Sequence, residues 1–186
     1  MTRFVALLRA VNLGGATSIP MDALRTMVES LGFRRVSTLL RSGNVIFEAI
    51  GRVDGVELER RLEREAAHVL QRATDFHVRD RAEWDGVVAS NPFTEAARDD
   101  PAHLVVIAFK VPLDPGRVAD LERSIRGWER VHARGRHLYA VYPNGIGRSK
   151  LTPALLDRSL VARGTARNWN TVLRIRDALR KGRVQV

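Results

Sequence analysis

The spacing of hydrophobic residues predicts alternating strands and helices over the first 90 residues. The continuous apolar run between Arg3 and Arg9 is typical of a buried strand. An amphipathic helix is predicted from the helical spacing of Leu58, Leu62, Ala66, Val69 and Leu70. The predicted elements are strands at 3–9, 34–40, 44–49 and 74–79, helices at 20–31 and from 54 to about 70, and a short helix after Asp80. Their order, β-α-β-β-α-β, is that of the ferredoxin-like split βαβ unit.

The same succession begins again after residue 100. A strand is predicted at 103–111, a helix from Asp114 to about Arg126, and a hairpin with strands at 128–134 and 137–142. Two helical segments, at about 153–161 and 168–181, then take the place of an obvious fourth strand. These patterns predict an α+β fold of two related ferredoxin-like (split βαβ) halves with a helical, basic C-terminal end.

The predicted domains follow from this order of elements. Residues 1–90 are expected to form the first ferredoxin-like half with its short helix, and 100–147 the second βαββ half. Residues 148–186 are expected to form a basic helical segment packed on the second half. No low-complexity linker separates the halves, so we expect them to pack closely.

Composition narrows the class of protein. The chain has 186 residues, of which 45% are hydrophobic and 28% are charged, which suits a folded core and excludes intrinsic disorder. No apolar run is long enough to span a bilayer, and the first residues do not resemble a signal peptide, so we expect a cytoplasmic protein without a membrane partner. The absence of cysteine excludes disulfides, thiolate nucleophiles and thiolate metal sites.

Basic residues concentrate towards the C-terminal end. The chain carries 31 Lys+Arg against 21 Asp+Glu, a net charge of +10. The 39 residues from Arg148 to Val186 hold ten basic and two acidic residues. A positive block on a near-neutral body predicts a phosphate-bearing or other polyanionic partner. The alternative is a general arginine bias, since three of the 31 basic residues are lysine.

Charged residues also alternate along the helix predicted after Asp54. Glutamates at positions 57, 59, 63 and 65 alternate with arginines at 60, 61 and 64. Opposite charges three or four residues apart form ion pairs on a helix surface. The pattern therefore predicts a solvated helix face, without a functional role for these carboxylates.

Five short motifs follow one another along the chain. They are Leu7-Leu8-Arg9-Ala10-Val11-Asn12-Leu13-Gly14-Gly15, Ser42-Gly43-Asn44-Val45-Ile46-Phe47, Asn91-Pro92-Phe93, Ser149-Lys150 and Thr165-Ala166-Arg167-Asn168-Trp169-Asn170-Thr171-Val172. Together they resemble the bacterial family of unknown function called DUF1697. The resemblance implies a small cytoplasmic α+β protein with ferredoxin-like halves and supplies no established activity. Members often have a lysine after the double glycine, where this chain has Ala16 and Thr17, which weakens the case for a charged phosphate cradle there.

The loop after the first predicted strand is one candidate anion site. Arg9, Asn12, Gly14 and Gly15 lie between a buried strand and a helix N-terminus, where backbone N–H groups and the helix dipole favour an anion. The loop lacks the G-x-x-x-x-G-K-[ST] spacing of a P-loop. The alternative is that the glycines turn the chain and that Arg9 pairs with a carboxylate.

The turn of the first predicted hairpin is a second candidate. Gly43 and Asn44 suit a tight turn that needs positive φ, which leaves Arg41 and Ser42 at the end of the hairpin. Strands one and three are neighbours in a ferredoxin-like sheet, so Arg41 is expected near the first loop. A turn without a ligand is the alternative.

The candidate that we favour combines two C-terminal segments. The donor-rich loop at 145–150 precedes a predicted helix, and Thr165 is predicted to cap another helix, whose first turn holds a guanidinium, an amide and an indole. Such a group suits a phosphate with an adjoining ring. The candidate residues are Ser149, Lys150, Thr165, Arg167, Asn168 and Trp169.

A core role is the alternative for the second of these segments. Trp169 starts a helical stripe that continues at Val172, Ile175 and Leu179, which is more typical of a core than of a ligand platform. Arg176 falls on the same stripe, so it must snorkel, pair with an acid or face a ligand.

Other catalytic patterns are missing. The five histidines form no short metal-binding spacing, although His132 and His137 flank a predicted hairpin turn. G-x-S-x-G is absent. We expect no metal and no cofactor.

Three functions remain open. The first is a module that binds a nucleotide or nucleic acid through its basic C-terminal surface. The second is an enzyme acting on a small phosphorylated or carboxylated metabolite through some of the same candidates; it would need a base from elsewhere, such as Asp157 or His103. The third is a structural or assembly protein, including a homodimer.

Overall fold

The computed structural model describes residues 1–9, 19–51, 53–71 and 73–181. Within these ranges the chain is α+β, with two four-stranded antiparallel sheets and seven α-helices. It divides into two compact units. The first unit is Met1–Gly86 together with the described residues from Arg174 onward, and the second is Val87–Leu173.

The first unit follows the predicted order of elements. These are β1 (Thr2–Leu8), α1 (Met21–Ser30), β2 (Arg34–Leu39), β3 (Asn44–Ala49), α2 (Gly55–Val69) and β4 (Phe76–Asp80). The strand order in the sheet is β2-β3-β1-β4, and each neighbouring pair is antiparallel. All six predicted elements are confirmed, with ends within two residues of the expected positions.

The second unit repeats this succession. After α3 (Arg81–Ala89) come α4 (Thr94–Asp99), β5 (Leu104–Ala108), α5 (Pro115–Ser124), β6 (Arg130–Arg134), β7 (His137–Val141), α6 (Pro153–Leu160), β8 (Thr165–Asn168) and α7 (Trp169–Lys181). Its sheet has the order β6-β7-β5-β8, again antiparallel throughout. Along the described part of the chain, no helix combines the length and the apolar character that crossing a membrane requires.

The second unit has a fourth strand, so the prediction that helices replace it is wrong. Thr165–Asn168 forms β8, which pairs antiparallel with β5 from Thr165 opposite Ala108 to Asn168 opposite Val105. Thr165 is therefore a strand residue and does not cap a helix. Pairing decides the outcome because it gives backbone partners to both this segment and the outer side of β5.

Two helices cross the division between the units. The first unit contains α3 up to Gly86 and α7 from Arg174. In this unit Arg180 Nη2 lies 2.9 Å from Asp85 Oδ1. Arg3 Nη1 donates to the carbonyl of Leu179 at 3.4 Å. These contacts attach the end of α7 to the start of α3 and to β1.

Each unit has its own hydrophobic core. In the first, β1, β3 and β4 share a core with α1 and α2, in which Leu58, Leu62 and Ala66 are fully buried. Val69 departs from the predicted stripe because it is 52% exposed, whereas Leu70 packs against this core as expected. In the second, β5, β6 and β7 share a core with α5 and α6.

Two glutamates of α2 cover the outer edge of β4, so the expectation of a solvated helix face is wrong for these two, although Glu57, Arg60 and Arg64 are exposed as expected. Glu59 is 2% exposed, and its Oε1 accepts the N–H of Val78 at 2.8 Å. Glu63 Oε1 accepts the N–H of Phe76 at 3.0 Å. Glu59 Oε1 also lies 3.6 Å from Nη1 of the fully buried Arg79. An edge strand has N–H groups without strand partners, and these carboxylates satisfy two of them.

A related contact lies before β8 in the second unit. Asp157 of α6 accepts the N–H of Gly164 through Oδ1 at 3.1 Å. Gly164 also packs closely on β5 and on the chain that follows it, since a Cβ there would lie 2.6 Å from Ile107 Cγ2 and 2.7 Å from Phe109 Cε1. Only glycine fits this approach without a shift of its neighbours.

Candidate functional site

The candidate loop after β1 lies mostly outside the described residues. Asn12, Gly14 and Gly15 fall in the range 10–18, so their role in anion binding stays a prediction. Arg9 is described at the end of β1, where its N–H donates to the carbonyl of Asp75 at 3.0 Å. This hydrogen bond attaches the start of the loop to the segment that precedes β4.

Asn44 stabilises the turn between β2 and β3. Its side chain is fully buried, and its Nδ2 donates to the carbonyl of Leu39 and to the hydroxyl oxygen of Ser42, both at 2.9 Å. Positive φ angles fall on Leu40 (60°) and Gly43 (70°), whereas Asn44 begins β3. Ser42 and Asn44 therefore have a structural role in the hairpin.

Arg41 is exposed at the tip of this hairpin. The N–H of Leu8 donates to the carbonyl of Gly43 at 2.8 Å, which places the turn beside the end of β1. Arg41 and Arg9 thus lie at the same end of the sheet, as expected from the pairing of β1 with β3.

Thr165 and Arg167 are buried in β8. Arg167 Nη1 donates to the hydroxyl oxygen of Thr165 at 3.0 Å and to the carbonyl of Ala166 at 2.7 Å. Burial lowers the pKa of Arg167 to about 10, so the guanidinium remains charged at neutral pH. These two acceptors lie within the strand itself, and 8% of the residue is exposed.

Asn168 and Trp169 lie at the start of α7. Asn168 Oδ1 accepts the N–H of Thr171 at 3.0 Å, which is the hydrogen bond of a helix N-cap, so Asn168 takes the role that the sequence assigned to Thr165. Trp169 is 5% exposed and cannot serve as a surface platform. The buried stripe of α7 continues, as expected, at Val172, Ile175 and Leu179.

A cavity of about 390 Å³ lies in the second unit. It is bordered by the loop from α5 to β6 and by the loop that follows β7. The candidates Ser149 and Lys150 line it, whereas the four candidates at 165–169 do not. The basic and aromatic side chains that line it are Arg126, Trp128, Arg148 and Lys150. We call this space the α5–β6 cavity.

Ser149 ties the two loops of the α5–β6 cavity together. Its hydroxyl donates to Glu129 Oε1 and accepts the N–H of Leu151 at 2.9 Å. Its own N–H donates to the carbonyl of Ile146 at 3.1 Å, within a 3₁₀ turn over Ile146–Arg148. Tyr142 supports the same loop, since its hydroxyl donates to the carbonyl of Leu151 at 3.3 Å. These hydrogen bonds connect the two loops that form the walls of the cavity.

Burial keeps Tyr142 in its protonated, donating form. Burial raises the pKa of Tyr142 to about 12, and the negative charge of Glu129 adds to the increase. The phenol therefore donates to Leu151 throughout the physiological pH range.

Positive charge dominates the α5–β6 cavity. Arg126, Arg148 and Lys150 are exposed, and in the ranges that the structure covers none of their side chains has an acidic partner. The carboxylate of Glu129 also lines the cavity, but it accepts the hydroxyl of Ser149. Three exposed cations around one concave surface attract an anion.

The sequence patterns missed Trp128 and Arg126. Trp128 is 79% exposed and lies outside any helix or strand. It follows a glycine and stands between Arg126 and Glu129 in sequence, without the apolar neighbours of a core tryptophan. That local pattern is the signal that could have identified an exposed indole.

The two histidines beside the β6–β7 turn are not directly opposite each other in the strand pairing. His132 is opposite Tyr139, and His137 is opposite Arg134. Over residues 1–9, 19–51, 53–71 and 73–181, no group of three or more histidine or acidic side chains is placed to hold a metal ion.

Fold and site together define an α+β protein of two repeated antiparallel units with a cationic cavity in the second. The family described as "Protein of unknown function (DUF1697)" matches residues 1–139, and the chain belongs to this family. The resemblance found in the sequence motifs is thereby confirmed. The matched region ends before the loop that carries Ser149 and Lys150.

The fold is similar to that of a solved bacterial structure. This is a conserved bacterial protein from Streptococcus pneumoniae, which is 22% identical, with a TM-score of 0.74 over 96% of this chain and 99% of that one. At this identity the similarity shows the fold alone. No curated protein matches the chain.

Proposed function

We propose that the protein binds a phosphate-bearing ligand in the α5–β6 cavity. The observation that carries the proposal is the set of three exposed cations, Arg126, Arg148 and Lys150, around a cavity whose loops are already tied together by Ser149 and Glu129. The hydrogen bonds between the loops hold the backbone of the cavity, so the ordering cost of anion binding falls mainly on the three cationic side chains.

The types of cation favour phosphate. A guanidinium offers a planar fork of donors that matches phosphate oxygens, and an ammonium adds a compact charge. Leu155, in the first turn of α6, also lines the cavity.

We also propose that both units are ferredoxin-like. The supporting observations are the β-α-β-β-α-β order in each unit and the central positions of β1 with β3 and of β5 with β7. In this view the basic C-terminal end supplies Arg148 and Lys150 to the cavity.

A chemical-shift titration with ribose 5-phosphate tests phosphate binding without involving a base. We expect saturable shifts of the backbone amides at 125–129 and 144–151, weaker at higher salt because exposed charges are screened. The double variant Arg148→Ala/Lys150→Ala should lose the response. Arg158→Ala, which removes an exposed charge of α6 outside the cavity, should keep it. No response in the natural protein, or an unchanged response in the double variant, would refute the proposal.

An enzyme acting on a phosphorylated metabolite is a second candidate, favoured by one contact. His103 Nδ1 lies 2.7 Å from Asp100 Oδ2, the arrangement in which a carboxylate orients a histidine base. A Cβ on Gly145 would lie 3.6 Å from His103 Nε2, so the other ring nitrogen faces the loop after β7. Phosphate release from ribose 5-phosphate that is lost in both His103→Gln and Asp100→Asn would support this function, and no release by the natural protein would reject it for that substrate.

A further inference from the structure

We infer that the ligand of the α5–β6 cavity is a single nucleotide, with its base stacked on Trp128 and its phosphate at Arg148 and Lys150. This inference rests on the proposed phosphate binding and adds the chemical class of the ligand. It follows from the exposure of one indole, the mixed lining of the cavity and the shortage of other exposed aromatic rings.

Trp128 is the one aromatic residue that the chain leaves exposed. All phenylalanine, tryptophan and tyrosine residues lie within the described ranges, and among them Trp128 alone is exposed, at 79%. The other two tryptophans, Trp84 and Trp169, are 1% and 5% exposed, and both tyrosines are buried. Burial of an indole is favourable, so an indole left in solvent beside a cavity fits a ligand that covers it.

The lining of the α5–β6 cavity is apolar as well as cationic. Ile125, Leu151 and Leu155 line it together with Trp128 and the three cations. A bare phosphate has no apolar surface, and a sugar phosphate has only the small C–H faces of its ring, to bury against these aliphatic side chains. A nucleobase presents a flat apolar face that can pack against these side chains, and base–aromatic stacking is a favourable, sequence-tolerant contact. The volume of about 390 Å³ falls in the ordinary range for small-molecule sites.

The arrangement favours one nucleotide over a strand of nucleic acid. Proteins that bind single strands provide successive aromatic platforms for successive bases. In the ranges that the structure covers, Trp128 has no exposed aromatic companion. A single platform beside a bounded cavity therefore predicts one base and one phosphate group.

Tryptophan fluorescence gives a direct assay, because the other two tryptophans are buried. We expect adenosine 5′-monophosphate (AMP) to quench the emission of Trp128 saturably, and ribose 5-phosphate to bind in the chemical-shift titration without quenching. The dissociation constant for AMP should be at least about tenfold lower than that for ribose 5-phosphate, which is the expected effect of one stacked base.

Variants at Trp128 distinguish the contribution of base stacking to AMP affinity from the contribution of the cationic side chains. Trp128→Leu should raise the dissociation constant for AMP by at least about tenfold, to that for ribose 5-phosphate, and should leave ribose 5-phosphate binding unchanged. Trp128→Phe keeps a ring and should lie between. Val111→Ala, which alters an exposed apolar side chain outside the cavity, is the matched control and should bind AMP like the natural protein. Affinities of these variants are measured by chemical-shift titration, which does not depend on the indole.

The outcomes distinguish this inference from the proposed function. Equal affinity for AMP and ribose 5-phosphate, or unchanged AMP binding in Trp128→Leu, overturns the inference and leaves phosphate binding in place. Binding of a deoxyadenosine decamer without binding of AMP overturns the single-nucleotide ligand. If neither AMP nor ribose 5-phosphate binds, the proposed function itself fails.

Discussion

Removing the Glu59 carboxylate should destabilise the first unit more than removing the carboxylate of Glu63, the other glutamate of α2 that accepts an N–H of β4. Glu59 is 2% exposed and serves two groups at once, the N–H of Val78 at 2.8 Å and the Arg79 guanidinium at 3.6 Å. Glu63, one turn further along, accepts the N–H of Phe76 at 3.0 Å and is only half-buried. The two positions therefore form a matched pair with the same residue type and different burial.

The expected loss in the free energy of unfolding depends on which groups each substitution leaves without a partner. Breaking a buried ion pair by removing one partner costs about 3–5 kcal/mol. Glu83 stays 3.4 Å from Arg79 Nε, so we expect Glu59→Ala to cost about 3 kcal/mol, at the lower end. Glu59→Gln keeps an acceptor for the N–H of Val78 and loses only the charge, which should cost about 1–2 kcal/mol. Glu63→Ala should cost about 1 kcal/mol, because Glu63 is half-buried and water can take the place of its oxygen at the N–H of Phe76.

Urea unfolding of the three variants measures these differences. Because the chain has two units, the transition should be followed through resolved amide signals of β1 and β4, which report the first unit alone. A Glu59→Ala variant within about 1 kcal/mol of the natural protein, or no more destabilised than Glu63→Ala, would refute the assignment of Glu59 as a buried partner of the β4 edge.

Three further predictions concern packing, ionisation and helix capping. Gly164→Ala should destabilise the protein by about 1–3 kcal/mol, because the new Cβ would overlap the side chains of Ile107 and Phe109. Gly86→Ala, at a helix position with open space, should instead stabilise the protein by up to about 1 kcal/mol. Thermal melts in which both variants shift the midpoint equally would contradict this prediction. Burial raises the pKa values of Tyr139 and Tyr142 to about 12, so each contributes stability below pH 10 that is lost as the pH rises through 12. Phenolate absorbance at pH 11 should therefore be about a tenth of its full value in the folded protein and nearly complete in urea. Full ionisation at pH 11 with a native circular dichroism spectrum would disprove the raised pKa values. Asp114→Ala should cost about 1 kcal/mol, because Asp114 Oδ1 accepts a backbone N–H at the start of α5; an unchanged urea midpoint would show that this cap is not needed.

Hydrophobic spacing was sufficient for most of the fold because most elements bury one face. Leu58, Leu62 and Ala66 repeat at helical intervals and are all fully buried, so their pattern located α2. β8 was missed for the opposite reason. Its four residues, Thr-Ala-Arg-Asn, include no aliphatic side chain larger than alanine, and pairing with β5 rather than any local preference makes them a strand.

The residues of the candidate site also differ in how far the sequence could predict them. Ser149 and Lys150 were identified because glycines and donors mark a loop, and loops carry sites. Arg167 was identified by its charge alone, and its burial in β8 depends on pairing that spacing does not reveal. Trp128 and Arg126 were missed because their proximity to Ser149 comes from tertiary contacts, chiefly the hydrogen bond from Ser149 to Glu129.

Truncating the chain at one position cannot separate the two units from each other. The chain leaves the first unit within α3 and returns to it within α7, so a fragment ending at Gly86 would lack Leu179 and Arg180. A fragment beginning at Val87 would carry the end of α7, with its buried Ile175, away from the residues that it packs among. Recombination that exchanges one unit for a foreign one must therefore replace two separate segments together.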